Sequence, residues 1–357
     1  MKKLLVTSAL AGLVISGSAF AQTTITGELR INYGAAGTDQ ATANSKARRG
    51  FGAEQQINVQ TKGKLNIGGL DYAAGFAIEN DGEQSTTLFN ENTYMDFTNP
   101  GTKTTISFSR DHIQRSDTDR SAAVFLGYSP NDITSQSGYS AGTSITRFQQ
   151  SPGPQVGQAF SVAILQATDI GTFSAAYTPS AIENSGLRTT ATTTIVNNNS
   201  ERPGESDAES AYEIGFVGGL GVKGLSTYAF YGKEKHRPGA ATDAFVKNYG
   251  IAYTLNEFSV GYTYKNYADS NLTSTQENKE NHYGLAYAVN KDVTVALLKA
   301  VGKGVGDTGG DEIAKSIQVG YNLGPVGMVA GYATYDNVAN TANNDGKAVF
   351  VRLIGAF

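Results

Sequence analysis

The amino-acid sequence predicts an all-β chain, a transmembrane up-and-down antiparallel β-barrel of sixteen strands. Three observations lead there. Apolar and polar side chains alternate with period 2 along many segments, which is the signature of a strand with one face in each medium. The connections between those segments alternate between short and long. After residue 21 the chain contains no apolar run of the roughly 18 residues that a membrane helix needs.

Composition agrees with strands and tight turns. The 357 residues include 42 Gly, 19 Tyr and 16 Phe but only 8 Pro, and aromatic residues favour strands while glycine favours turns. Zero Cys excludes a disulfide scaffold, a thiol nucleophile and a cysteine zinc site. The formal charge of −4 excludes the strongly basic footprint of a nucleic-acid binder.

Residues 1–21 have the pattern of an export leader. Lys2 and Lys3 form a positive start, Leu4 to Ile15 a mostly apolar stretch, and Ala19-Phe20-Ala21 a small-x-small cleavage site. Cleavage between Ala21 and Gln22 leaves 22–357 as a single domain. Loss of the two lysines takes the formal charge from −4 to −6. The stretch is short for a membrane span and breaks at Ser16-Gly17-Ser18, which disfavours an anchor.

The first strand reads Thr24, Thr26, Glu28, Arg30 and Asn32 on one face and Ile25, Gly27, Leu29, Ile31 and Tyr33 on the other. Leu70 to Glu79 alternates likewise, with Tyr72, Phe76 and Ile78 on its apolar face. Tyr212, Ile214 and Phe216 repeat the pattern, as do Phe258, Val260, Tyr262 and Tyr264, then Tyr283, Leu285, Tyr287 and Val289. The last segment sets Val349, Val351, Leu353, Gly355 and Phe357 against Phe350, Arg352, Ile354 and Ala356.

Seven short linkers occur at 63–68, 99–102, 169–171, 218–221, 255–257, 290–292 and 323–325. Eight long polar ones occur at 35–49, 80–87, 111–157, 179–209, 232–243, 268–279, 302–311 and 336–346. Together they join sixteen strands, with long loops at one end and short turns at the other. Hydrocarbon tolerates no unpaired sheet edge, so the first and last strands must pair and close the sheet. Sixteen strands enclose a space too wide for side chains to fill, and polar residues on alternate positions then face water. Tyr33, Phe97, Tyr177, Tyr231, Tyr253, Tyr267, Tyr321, Tyr335 and Phe357 fall near strand ends, where aromatic girdles form. A soluble β-sandwich would not require the alternating loop lengths.

The sequence resembles the Gram-negative general porins, which are sixteen-stranded trimeric outer-membrane channels. Thr23 to Ile31 looks like their first strand. NENTYMDFTNPGTKTTISFSR (90–110) resembles their fourth strand, glycine turn and fifth strand, and FSVAILQATDIGTFSAAY (160–177) resembles the pair after the long third loop. Ser109 stands where a glycine usually precedes the arginine of the fifth strand. The ending on Phe357, with apolar residues at every second place before it, is similar to the signal read by the barrel-insertion machinery. The resemblance implies a bacterial outer-membrane homotrimer, surrounded by lipid and lipopolysaccharide, through which ions and small hydrophilic solutes diffuse without enzymatic chemistry. It also implies that the third loop folds into the lumen and sets acidic groups against basic groups on the wall.

Carried onto this chain, the loop is 111–157, about 47 residues, and long loops of that kind are usually functional. Asp117, Asp119 and Asp132 are the acidic candidates for the constriction. Parity places Arg30 and Arg352 in the lumen on adjacent strands. Arg49 and Lys62 complete the basic wall, with Lys265 on the opposite side. Glu28 is a lumenal acid able to pair with Arg30.

Other motifs lack their chemical context. Gly304-x-Gly306-x-x-Gly309 precedes no helix, and Asp307, Asp311 and Glu312 would repel a pyrophosphate. Asp307-Thr308-Gly309 has no second copy to share a proton. Asp117-x-Asp119-x-Ser121 lacks the glycine and glutamate of a calcium loop. Glu79, Asp81 and Glu83 are the one composition able to take a loop-bound Ca²⁺; no other cofactor is expected. His112, His236 and His282 all read as solvated loop histidines, which argues against a barrel hydrolase. A channel specific for sugar or phosphate would carry an aromatic run or a basic ladder along the lumen, and neither is evident.

Overall fold

A computed structural model describes residues 22–38, 48–81, 89–110, 160–179, 188–190, 193–195, 210–235, 243–268, 277–304, 310–338 and 342–357. The candidate leader 1–21 and the loop 111–157 lie outside the described residues.

Strands β1 (Gln22–Thr38), β2 (Arg48–Lys64), β3 (Asp71–Asp81), β4 (Phe89–Asn99), β5 (Thr104–Arg110), β6 (Ser161–Thr168) and β7 (Gly171–Thr178) follow one another around the first part of the wall. A separate hairpin of β8 (Arg188–Thr190) and β9 (Thr193–Ile195) lies within the next long connection. The wall resumes with β10 (Ala211–Gly218), β11 (Leu225–Glu234), β12 (Ala244–Leu255), β13 (Phe258–Ala268) and β14 (Asn278–Ala288). It ends with β15 (Val293–Gly304), β16 (Glu312–Asn322), β17 (Val326–Asp336) and β18 (Gly346–Ala356). Every neighbouring pair in the wall is antiparallel, and β1 pairs with β18 to close a sixteen-stranded barrel. The seven short turns and eight long connections follow in the order the sequence places them, although β1 runs on to Thr38 and β2 starts at Arg48, so the first long connection is shorter than 35–49.

The two faces differ as a membrane requires. Ile25, Leu29, Ile31, Ile57, Phe76, Ile106, Ile164, Ile214, Ile251, Leu285 and Val351 point outward and are exposed. An apolar surface this continuous would aggregate in water, and it marks a lipid-facing wall. The inward face carries Asn32, Glu79, Ser107, Glu213, Asn248, Thr263, Lys265, Glu280, His282, Glu312, Gln318 and Arg352. Among the described residues the interior is therefore not a packed apolar core. Its buried apolar groups are mostly alanines, such as Ala300, Ala314, Ala333 and Ala348 around Tyr335 and Phe350.

Part of the glycine content has a packing role. Inward aromatic rings lie across glycines on the neighbouring strand: Tyr94 over Gly75, Phe230 over Gly215, Tyr228 over Gly250 and Phe350 over Gly331. Such cross-strand pairs hold register and cover backbone that glycine leaves bare. Tyr267 and Tyr335 are also inward and buried, and so leave the proposed girdles. The parity of their strands decides this: Tyr335 faces Ala314 and Gly346, which leave space for its ring. The inward rings of Tyr228, Phe230, Tyr267, Tyr335 and Phe350 are buried elements of the wall.

The closing seam is fastened at its short-turn end. Gly27 N–H donates to Phe357 O at 2.8 Å, and Phe357 N–H donates to Gly27 O at 2.9 Å. The Phe357 ring covers Gly27, where an added Cβ would stand 2.2 Å from Cζ. Gly27→Leu is expected to push this ring aside and cost about 1–3 kcal/mol, the usual range for overpacking. The temperature at which the folded barrel loses its compact mobility on a detergent gel reads that loss; an unchanged temperature would show that the seam does not depend on this contact.

Candidate functional site: the lumenal wall

Mid-height on the seam, β1, β2 and β18 bring four charges together. Arg30 stands directly opposite Glu54, and Arg352 stands directly opposite Asn32. The Arg30 guanidinium donates through Nε to Glu28 and through a terminal nitrogen to Glu54. Arg352 donates through Nε to Asn32 Oδ1 at 2.6 Å and lies 3.5 Å from the second Glu54 oxygen. Glu54 thus spans from β2 across β1 to β18 and serves both arginines. Two cations and two anions sum to zero, and this cancellation is what lets the arginines sit side by side in a region of reduced dielectric.

Glu54 is the residue that sequence reasoning missed. Parity alone would have found it, because Lys62 was assigned to the lumen from the same strand and Glu54 shares its face. Its strand obscured the signal, since outward Gln55 and Thr61 blur the alternation.

Arg49 is corrected. It pairs with Ala35, one step from the outward Tyr33–Phe51 pair, so it belongs to the outer surface and not to the pore wall. An outward charge near a strand end costs only about 0–1 kcal/mol, against about 2–4 at the bilayer midplane. Lys62 faces inward near the short-turn end, where it borders a recess with Asp96, Thr98, Thr105 and Ser107. Lys64 beside it pairs with Asp71 at 3.1 Å.

Across the lumen, β13 and β14 carry a second polar group. Lys265 and Glu280 are opposite one another, with Nζ 4.0 Å from a carboxylate oxygen. Tyr267 OH donates to Glu280 Oε1 at 2.9 Å, and His282 Nε2 lies 3.0 Å from Glu280 Oε2. His282 is therefore not a solvated loop residue; β14 begins at Asn278, before it, and its parity turns it inward. His112 and His236 lie outside the described residues.

Asp117, Asp119 and Asp132 lie outside the described residues, as do Glu83 and the side chain of Asp81. Glu79 is inward and buried on β3. Among the described residues no group of three or more metal-ligating side chains is present.

The description "Gram-negative porin" matches residues 6–345. The chain belongs to the Gram-negative porin family. No protein of curated function matches the sequence. Among solved structures, the anion-selective porin from Comamonas acidovorans superposes with a TM-score of 0.65 at 12% identity, covering 94% of this chain and 100% of that one. A mutant porin of Rhodopseudomonas blastica superposes with a TM-score of 0.60 at 14% identity and the same coverage. At such identities these likenesses establish the fold. As a Gram-negative porin, the chain is a diffusion channel of the bacterial outer membrane. A water-filled lumen with a charged, hydrogen-bonded wall suits that role and requires no reaction chemistry.

Proposed function

We propose that this porin passes ions and small hydrophilic solutes passively, as a homotrimer, through a lumen narrowed by the 111–157 loop. The observation that supports this most is the closed wall of sixteen strands with apolar side chains outward and charged ones inward. In this reading Asp117, Asp119 and Asp132 face the arginine patch across the gap. Opposed charges set a transverse field in which polar solutes keep their hydration, whereas apolar solutes must disrupt ordered water. Residues 1–21 are removed at Ala21/Gln22, and Phe357 addresses the chain to the insertion machinery. The channel is no enzyme: the Glu280–His282 group serves as wall structure, with Tyr267 and Lys265 completing it.

Ion preference follows from the wall. The seam patch is neutral, so its arginines give no anion preference, and the charge of −6 left after the leader leans the channel weakly toward cations.

Planar-bilayer recording tests the reading. Ohmic, weakly selective steps arriving in threes are expected. Removal of 117–132 is expected to raise single-step conductance; an unchanged step would mean that the loop does not narrow the lumen. Saturation by one sugar or by phosphate would favour a specific channel instead.

A further inference from the structure

The recess beside Lys62 lies on the lumenal face near the short-turn end, which faces the periplasm in barrels of this kind. Its volume is about 560 Å³. Two register rows of inward side chains bound it. The row nearer the turns runs Lys64, Asp71, Thr98, Thr105 and Leu165 across β2 to β6. The next row runs Lys62, Ala73, Asp96 and Ser107 across β2 to β5.

The row nearer the turns is satisfied within itself. Lys64 Nζ donates to Asp71 Oδ1 at 3.1 Å, and the Thr98 and Thr105 hydroxyls share a bond of 2.8 Å. The next row is not. The Lys62 side chain is exposed to the lumen, and its ammonium makes no ion pair or hydrogen bond among the described residues. Its neighbour on β3 is Ala73, which offers no counter-charge. Ser107 is 1% exposed, and its Oγ has no hydrogen-bond partner among the described residues. Leaving a buried hydroxyl unpaired is unfavourable, so the cavity favours an occupant that completes it.

Asp96 stands directly opposite Ser107, which sets a carboxylate and a hydroxyl acceptor side by side. Lys62 stands two strands away, at a backbone distance of roughly 10 Å, and its long stem can fold over Ala73 to shorten the gap. Two lysines and two aspartates cancel, so the recess is neutral but its charge is separated. A simple anion would meet Lys62 and be repelled by Asp96, and a simple cation the reverse. A zwitterion satisfies both poles at once.

We propose that this recess binds a free α-amino acid in its zwitterionic form as it crosses the lumen. The ligand carboxylate accepts from the Lys62 ammonium. The ligand ammonium donates to the Asp96 carboxylate and to Ser107 Oγ. A carboxylate has about four acceptor positions, so Asp96 takes this bond beside the interactions it already makes. Leu165, at the far end of the satisfied row, supplies apolar surface for the amino-acid side chain. The site rests on the diffusion reading only for access to the lumen; the binding itself needs no current.

Equilibrium dialysis of the full-length folded barrel in neutral detergent micelles tests the site with three probes. These are L-leucine, N-acetyl-L-leucine, which lacks the ammonium, and L-leucinamide, which lacks the carboxylate. An exposed charge pair changes affinity by up to about fivefold, so the native barrel is expected to bind L-leucine about fivefold more tightly than either analogue. Lys62→Gln is expected to abolish the preference over L-leucinamide and keep that over N-acetyl-L-leucine. Asp96→Asn is expected to do the opposite. Ser107→Ala is expected to weaken both ammonium-bearing probes about threefold and leave N-acetyl-L-leucine unchanged. Lys62→Arg keeps the charge and both preferences, and Lys223→Gln, in an exposed turn between β10 and β11, changes neither. Each preference is a ratio within one variant, so partial loss of folded barrel cancels. No binding of L-leucine, equal binding of the three probes by the native barrel, or unchanged preferences in Lys62→Gln and Asp96→Asn would overturn the site. Tighter binding of N-acetyl-L-leucine than of L-leucine would make it an anion site and overturn it too. Conductance steps without L-leucine binding would overturn the recess alone, and L-leucine binding without conductance steps would overturn the diffusion reading alone.

Discussion

Arg30→Glu is expected to raise the cation-to-anion permeability ratio about sevenfold, read as a shift of reversal potential under a salt gradient. One unit charge acts on an ion about 7 Å away in water with roughly RT, and screening over a Debye length of about 10 Å halves this. Cations and anions respond oppositely, so one unit of wall charge changes their ratio about threefold, and the two units of this substitution give about sevenfold. The native patch is neutral only because Arg30 lies between Glu28 and Glu54. Its reversal leaves two carboxylates facing a third, with Arg352 as the remaining cation. Glu54→Gln shifts the patch the other way by one unit and is expected to raise the anion-to-cation ratio about threefold. Equal reversal potentials in the native chain and both variants would remove the seam patch from the permeation path.

Gly218→Val is expected to destabilise the barrel strongly. Gly218 closes β10 beside Gly171 at the start of β7, and a Cβ there would stand 2.3 Å from Ile170 O and 2.4 Å from Gly171 Cα. Both contacts are backbone, so no side-chain rotation relieves them. Leu220 N–H also donates to Ile170 O at 2.9 Å, which pins the same corner. The cost is expected near about 3 kcal/mol, the upper end of overpacking penalties. Gly355→Ala is the control, because a Cβ at Gly355 meets nothing within 4 Å. Denaturant titration of the two variants in micelles measures the difference. A Gly218→Val barrel as stable as Gly355→Ala would mean that the corner can open without penalty.

The strand count, connection lengths and wall parity were legible because each is written locally. A period of 2 tells which side chains share a face, and glycine- or asparagine-rich breaks tell where the face ends. Asn256 at φ 52° in the two-residue turn between β12 and β13 is one such signal. Register is not local. Arg30 and Arg352 were placed near each other by parity and closure, but one step of stagger decides that Arg352 meets Asn32 and that Glu54 reaches both. Arg49 was misassigned because it is next to Arg48 at a strand end, where a one-residue difference turns a side chain from water to lipid. His282 was misread because its strand starts earlier than the surrounding Asn and Glu residues suggest.

The bond between Arg352 and Asn32 spans 320 positions of sequence, and the Glu54 contact spans 298. Every pair in the β1–β18 ladder is comparably remote, from Thr38 with Gly346 to Glu28 with Ala356. A growing chain therefore carries two raw sheet borders until nearly all of it has been made, each ready to template on a stranger. Loop-closure entropy makes such distant pairings slow to form. Biogenesis must accordingly keep the emerging polypeptide unfolded and escorted in the watery compartment, then finish the ring in one concerted event inside the lipid.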